Sequence, residues 1–517
     1  MKKLTLLLCF VSFSTNGQNI TVASGKSFTI EKTGAVTMSG NFSNAGTFIL
    51  NSDSDEFSSL IIGGSVTGNI TYNRYVNSVG TNEWDLIGAP VSGQSINSFV
   101  TANTSTLATN GATKAIGYYN NTDNTWTNYT TSTIVGAGNF PLGKGFQMAT
   151  NANGTGILSF TGAPTATNQT WTIIDNDAAN SGAGTRWNLV ANPFPSYIYG
   201  NANADSSHNF LTVNSDKLND SYEAIYGYDA DGSGYTVYNN TSAALRLAPG
   251  QAFMVASDNA ENDTISFTTA MRTTTGGDDL IVGRDPIDSF ELVLKLYEGD
   301  SEIDHTKFYF GDGLSLNLDP GYDAGHFNQG ASLMSRLVEE DEGVGLVINA
   351  MGIDSANDVV IPIELNREAG NNFRISIGTF NINTAIKVYL EDNVQETMTL
   401  LNDQDFELTT ENELNGIGRF FIHLTETVLS IDDKIETNYL NVFIADVNNF
   451  ITVEGLANQS NGTKLRLYTI RGKEVIFTTL NNTNNKQIIS TQGLSTGIYI
   501  VKLESGNILL TKKIFIK

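Results

Sequence analysis

The stretch GLSTGIYIVKLESGNILLTKKIFIK, Gly493 to Lys517, alternates apolar and polar residues twice. Ile498 to Leu503 and Ile508 to Ile516 follow the period of two that sends every second side chain to one face of a strand. Glu504-Ser505-Gly506-Asn507 between them is turn chemistry, so the segment predicts a β-hairpin ending on a basic patch of Lys512, Lys513 and Lys517. The same alternation runs upstream through Leu440 to Val453 and Leu465 to Ile470. A small β-sandwich therefore closes the chain.

The rest of the sequence belongs to the same fold class. Its 517 residues predict roughly three or four domains. With 40% hydrophobic and 10% aromatic residues, the chain can bury real cores. The 49 glycines and many Asn, Thr and Ser residues suit short strands joined by tight turns, and the chain reads as all-β and multidomain. Acidic residues outnumber basic ones 54 to 29. Such a chain gains nothing from a phosphate backbone, which argues against nucleic acid as a partner.

Lys2 and Lys3, the apolar run Leu4 to Phe13 and the small residues before Gln18 form a secretory leader over residues 1–17, too short to span a bilayer. Its removal leaves 27 basic against 54 acidic residues, a net charge of −27. It also removes Cys9, the single cysteine, so the mature chain has no disulfide. No later stretch is long and apolar enough for a transmembrane helix.

Residues 18–77 carry brief apolar alternations at close intervals, which suit either the rungs of a short β-solenoid or a meander. An internal duplication follows, in units at 78–162 and 163–275. Trp84-Asp85-Leu86-Ile87-Gly88-Ala89-Pro90 recurs as Trp187-Asn188-Leu189-Val190-Ala191-Asn192-Pro193, and Phe146 and Phe253 keep a similar spacing downstream. The Thr- and Gly-rich stretch from Ala270 to Gly277 reads as a linker. Seven longer alternating strands between Phe290 and Leu424 then predict a jelly-roll-like sandwich over 276–427, followed by the closing domain at 428–517.

Few residues stand out as chemistry. Trp84 and Trp187 read as core anchors rather than sugar-stacking platforms, because both lie in apolar strands. Trp126 and Tyr129, in a polar Asn/Thr context, are better candidates for glycan stacking. Asp229, Asp231 and Ser233 place three hard oxygens at alternate positions around glycines, the pattern of a Ca²⁺ loop. Asn240 stands where such a loop needs a bidentate Glu, and the flanking strand-like runs favour a hairpin turn. The acidic run Glu339-Glu340-Asp341-Glu342 reads as a solvated turn. His208, His305, His326 and His423 have no zinc spacing, and no nucleophile or phosphate-loop motif is present. Two carboxylates meeting in space could still form a glycosidase pair, but no residues are singled out as catalytic.

Leu465-Arg466-Leu467-Tyr468-Thr469-Ile470-Arg471-Gly472-Lys473-Glu474-Val475, then Gly497-Ile498-Tyr499-Ile500-Val501-Lys502 after Gly493, then Lys512 to Lys517, resemble the type A C-terminal sorting domain of the Bacteroidetes type IX secretion system. Where many members open on Tyr-Pro-Asn-Pro, this chain has no proline between Thr437 and Ile444. The resemblance implies that Gly493, Gly497, Tyr499, Lys502, Lys512, Lys513 and Lys517 belong to a sorting signal. It also implies that a translocon and a sortase-like machinery are the partners, and that the product is anchored at the cell surface or released. The region before it is similar to passengers of uncharacterised flavobacterial surface proteins. The expected role is non-catalytic adhesion or glycan and polymer binding. A polysaccharide hydrolase and a purely structural matrix component are the alternatives.

Overall fold

A computed structural model of the chain describes residues 19–516 apart from 80–83, 153, 178–183, 230–233, 260–261, 278–289, 328–330, 427–439, 446–449, 460–461, 496 and 507. The leader expected over 1–17 lies outside the described residues.

Short strands that cannot bury a face alone must stack, and the N-terminal region does this by coiling. Ile20–Val22 pairs in parallel with Phe42–Asn44, which pairs in parallel with Val66–Thr67. Ser27–Ile30, Thr47–Asn51 and Ile70–Tyr75 form a second parallel column, and Ala35–Met38 with Ser59–Ile62 a third. These three columns are the sides of a β-solenoid, and the meander alternative is set aside. Its interior is apolar, with Phe42, Phe48, Leu50, Leu60, Ile62 and Tyr72 almost wholly buried. A Cβ on Gly46 would lie 2.3 Å from the Lys26 carbonyl, and one on Gly68 would lie 2.0 Å from the Asn44 carbonyl. Glycine is required at this corner because successive coils touch there. Ile70–Tyr75 also pairs antiparallel with Ile157–Gly162, so the solenoid sheet continues into the first repeat unit.

The two repeats share one strand order. Asp85–Ile87, Phe146–Met148, Thr113–Asn120 and Thr125–Thr130 lie side by side in the first. Trp187–Ala191, Ala252–Ala256, Ile225–Asp229 and Gly234–Tyr238 do so in the second. Even the register repeats: Phe146 faces Ile87 as Phe253 faces Val190, and Gln147 faces Gly117 as Met254 faces Tyr226. The copies touch where the Gly88 amide donates to the Gly250 carbonyl at 2.7 Å. A Cβ on Gly88 would lie 2.3 Å from that of Ala191.

The composition of Ala270 to Gly277 misleads. Arg272–Thr273 is a short strand on Tyr197–Tyr199, and Met271 is fully buried. Threonine suits an extended, half-buried backbone, so a Thr-rich run reads as a linker only until it finds an edge to pair with.

All seven strands expected after Phe290 are present, within one eleven-stranded sheet. The sheet is antiparallel except where Ser301–Gly311 runs parallel to Leu346–Gly352. It curls upon itself. Leu294, Leu296 and Phe308 from one half share a core with Ile361, Ile422 and Leu390 from the other. The closing domain stacks Asn441–Ala445, Phe450–Glu454 and Lys486–Ile489 against a sheet of Glu474–Leu480, Thr463–Thr469, Gly497–Ser505 and Ile508–Ile516. Val442, Ile451, Leu465, Val501 and Ile514 fill the space between.

Candidate functional site

The C-terminal hairpin pairs along its whole length, from Gly497 opposite Ile516 to Ser505 opposite Ile508. Directly opposed residues share a face: Val501 meets Lys512, and Ile500 meets Lys513. Adjacent lysines therefore point to opposite sides of the sheet, which divides the basic patch expected from sequence. Lys513 is exposed, on the face that also carries Lys502. Lys512 is half-buried against the preceding domain. Tyr499 is only 6% exposed and donates its hydroxyl to the Ser495 carbonyl at 2.8 Å, so it anchors the core. Gly493 takes a turn conformation with φ 90, and Gly497 opens the strand. Lys517 lies outside the described residues.

The contact made by Lys512 is part of a buried ion network between the eleven-stranded sheet and the closing domain. Arg336 is 1% exposed. Its guanidinium reaches Asp341 through Nε at 3.1 Å and Nη2 at 2.9 Å, and through Nη1 it meets Glu364 at 3.0 Å and Glu454 at 3.1 Å. Glu454 is also 3.0 Å from Lys486. Asp341 accepts from Asn441 at 2.8 Å through its carboxylate, and its backbone carbonyl accepts from Lys512 at 2.7 Å.

Burial opposes the Arg336 charge, but Asp341, Glu454 and Glu364 outweigh it and raise the pKa above the ordinary arginine range. Burial lowers the Lys512 pKa despite the acidic residues at 340–342. Beside the network a Cβ on Gly343, at φ +90, would lie 2.2 Å from the Phe443 ring, so only glycine admits that ring. The first partner contributes Arg336, Asp341 and Glu364, and the second Glu454, Lys486 and Lys512. With ordinary charges one side is −1 and the other +1, and they cancel on docking.

The solvated turn expected at 339–342 needs correction. Glu339, Glu340 and Glu342 are exposed, but Asp341 is 4% exposed and anchors Arg336. Alternation and charge counting do not distinguish the member of an acidic run that meets a buried cation. The signal available was Arg336 itself, a charge inside the apolar run Ala331 to Val338, since buried arginine demands partners.

Next to this network opens a cleft of about 650 Å³. Tyr222 of the second repeat, Lys486 of the closing domain and residues of the eleven-stranded sheet line it. The walls carry Glu298, Glu364, Glu368 and Glu413 with Asn366, Asn371 and Asn415. Arg367 pairs with Glu298 at 2.8 Å, and Arg336 with Glu364 at 3.0 Å. These contacts fix two carboxylates as oriented acceptors.

The other sequence candidates lie elsewhere. Trp126 is 37% exposed and contacts Tyr119 with centroids 5.2 Å apart, whereas Tyr129 is half-buried against Tyr118 at 5.6 Å. Three residues apart on one strand, Trp126 and Tyr129 point to opposite faces, so they form no shared stacking platform. Trp187 packs within 4.5 Å of Phe327 and 4.7 Å of Tyr226, between the second repeat and the large sheet. Trp84 packs against small residues at Ala108, Ala115 and Ala149. Asp229 ends a strand paired antiparallel with Gly234–Tyr238, so its neighbourhood is a hairpin; Asp231 and Ser233 lie outside the described residues. Among the described residues no group of three or more His, Cys, Asp or Glu is arranged for a metal, and no helix is long and apolar enough to cross a membrane.

Burial raises the pKa of two further carboxyls to about 7: Glu223, aided by Asp220, and Asp323, despite backbone donors from Ala350 and Asp319. His326, just after the strand Ala324–Gly325, meets Asp304 at 3.1 Å, and His423 meets Glu391 of the neighbouring strand at 2.8 Å.

The closing β-sandwich that ends in this hairpin follows a large β passenger, and its sequence is what makes the chain a substrate of the type IX secretion system. Residues 446–517 match the secretion system C-terminal sorting domain. The domain marks the protein for export to the cell surface or beyond and for contact with the secretion machinery. The chain belongs to the family described as a domain of unknown function, DUF8693, which it matches over residues 9–423. No curated protein is similar enough to match.

Proposed function

We propose that the exported protein is a non-catalytic adhesion protein that binds glycans or related polyhydroxylated polymers. The observation that carries this reading is the cleft where the second repeat, the large sheet and the closing domain meet. Asn371 and Asn415 line it with amide donors and acceptors, Asn366 adds what its amide retains after bonding Ser332 and Gly416, and Tyr222 supplies an aromatic edge. The carboxylates of Glu298 and Glu364 are held in ion pairs. Oriented acceptors, amides and one ring suit vicinal hydroxyls, and the arginine pairs favour hydrogen-bond acceptance over proton transfer.

The test is binding of the mature chain to a glycan array, with and without Ca²⁺, followed by Asn366→Ala and Asn371→Ala. Signal on a glycan class that both substitutions weaken, unchanged by chelation, supports the reading, whereas an empty array sinks it. A second reading, polysaccharide hydrolysis, is favoured by Glu368 and Glu413 sharing the same cleft. Release of reducing ends that Glu368→Gln or Glu413→Gln abolishes would establish it.

A further inference from the structure

The sorting domain has two unlike sides. The outer face of its three-stranded sheet and one edge of the sandwich are committed to the passenger, through Phe443, Glu454 and Lys486 and through Lys512. The outer face of its four-stranded sheet is left to solvent. Register places Arg466 opposite both Phe477 and Lys502, Ile500 opposite Lys513, and Glu504 opposite Leu509. On this face Phe477 is 51% exposed, Ile498 46% and Leu509 63%. Aliphatic and aromatic side chains so exposed beside lysines mark a surface built for contact.

Charge singles out the same domain. Residues 440–517 hold nine Lys or Arg against four Asp or Glu, a net of +5. Residues 18–439 hold 18 against 50, a net of −32. A basic, partly apolar face on an acidic body is the feature by which a receptor can tell one end of this molecule from the rest.

We infer that the export machinery docks on the outer face of the sheet Glu474–Leu480, Thr463–Thr469, Gly497–Ser505 and Ile508–Ile516, through an apolar surface bearing carboxylates, while the passenger grips the opposite side. The alternation of the last strand divides the labour. Lys513 and Lys502 face the receptor, and Lys512 faces the passenger. A receptor of this chemistry meets Phe477 and Leu509 with its apolar part and the lysines with its carboxylates. The passenger can therefore stay folded and attached during recognition, because the two contacts use different faces.

The test is export in a strain with a type IX system, with each purified chain checked by thermal melting. Lys502→Glu combined with Lys513→Glu is expected to cut surface and medium protein at least about tenfold, since a lost interface contact of about 1.4 kcal/mol has that effect. Leu509→Ser, at a side chain too exposed to serve the core, is expected to reduce export with the melting profile preserved. Lys512→Gln is expected to loosen the passenger contact and to impair export far less than the double variant. Normal export of folded Leu509→Ser together with the double variant would overturn the inference. So would a loss for Lys512→Gln as deep as that of the double variant.

Discussion

Replacing Arg336 with Met removes the one cation that three carboxylates share. Arg336 is 1% exposed at its side chain, Asp341 3% and Glu454 2%, with Glu364 at 16%. Breaking a buried pair from one side leaves uncompensated charge in a poorly solvated place, which costs about 3–5 kcal/mol. Glu454→Gln is milder. Arg336 keeps both contacts to Asp341 and one to Glu364, and an amide oxygen can still accept, so about 1–2 kcal/mol is expected.

The two changes act on one contact, and their effects should not add. With Arg336 gone, Glu454→Gln relieves repulsion, and the double variant should be more stable than the sum of single losses by at least about 1 kcal/mol. The assay is urea unfolding of the mature chain and its three variants, following the transition in which the eleven-stranded sheet opens, because a multidomain chain has no single unfolding free energy. Additivity to within about 0.5 kcal/mol would refute the reasoning, since it would mean that Arg336 and Glu454 do not share a site.

Gly68→Val places a branched side chain where a Cβ alone would stand 2.0 Å from the Asn44 carbonyl; it should unwind the last solenoid coil, seen as new protease sensitivity before Tyr75. Trp187→Ala should cost about 3–5 kcal/mol by opening a cavity among Phe327, Tyr226 and Tyr222, whereas Trp126→Ala, at a ring 37% exposed beside Tyr119, should cost about 1 kcal/mol in the same melts. Asp323 binds its proton more tightly when folded, with a pKa of about 7 against an ordinary 3.8, so its contribution is full below about pH 4 and is lost as pH rises through 7. The stability advantage of wild type over Asp323→Asn, read from paired melts between pH 4.5 and 8, should therefore shrink with rising pH; an advantage that grows would contradict the assignment.

Where one physical signal dominated, the sequence was legible. The hairpin at 497–516 and the duplicated strands around Trp84 and Trp187 rest on alternation and repetition, and both are present in register. The solenoid was half-legible, because short alternating runs show that faces must stack but not whether strands return parallel or antiparallel. Ala270 to Gly277 was misread because a Thr-rich edge strand and a linker share a composition. The ion network was hidden for a different reason. Arg336, Asp341 and Glu454 are brought together by chain reversal across 118 residues, a distance no periodicity spans. The separation of Lys512 from Lys513 needed no such reach, since adjacent strand residues always face opposite ways, and only the clustering of basic letters concealed it.

The most direct test of a sorting domain held by its own passenger is the reaction of the intact mature protein with an amine-selective acylating reagent, read residue by residue by mass spectrometry. Lys513 is expected to label several-fold faster than Lys512, and Glu454→Gln is expected to bring the two rates closer together. Equal rates at Lys512 and Lys513 in the wild-type protein would contradict the docked arrangement.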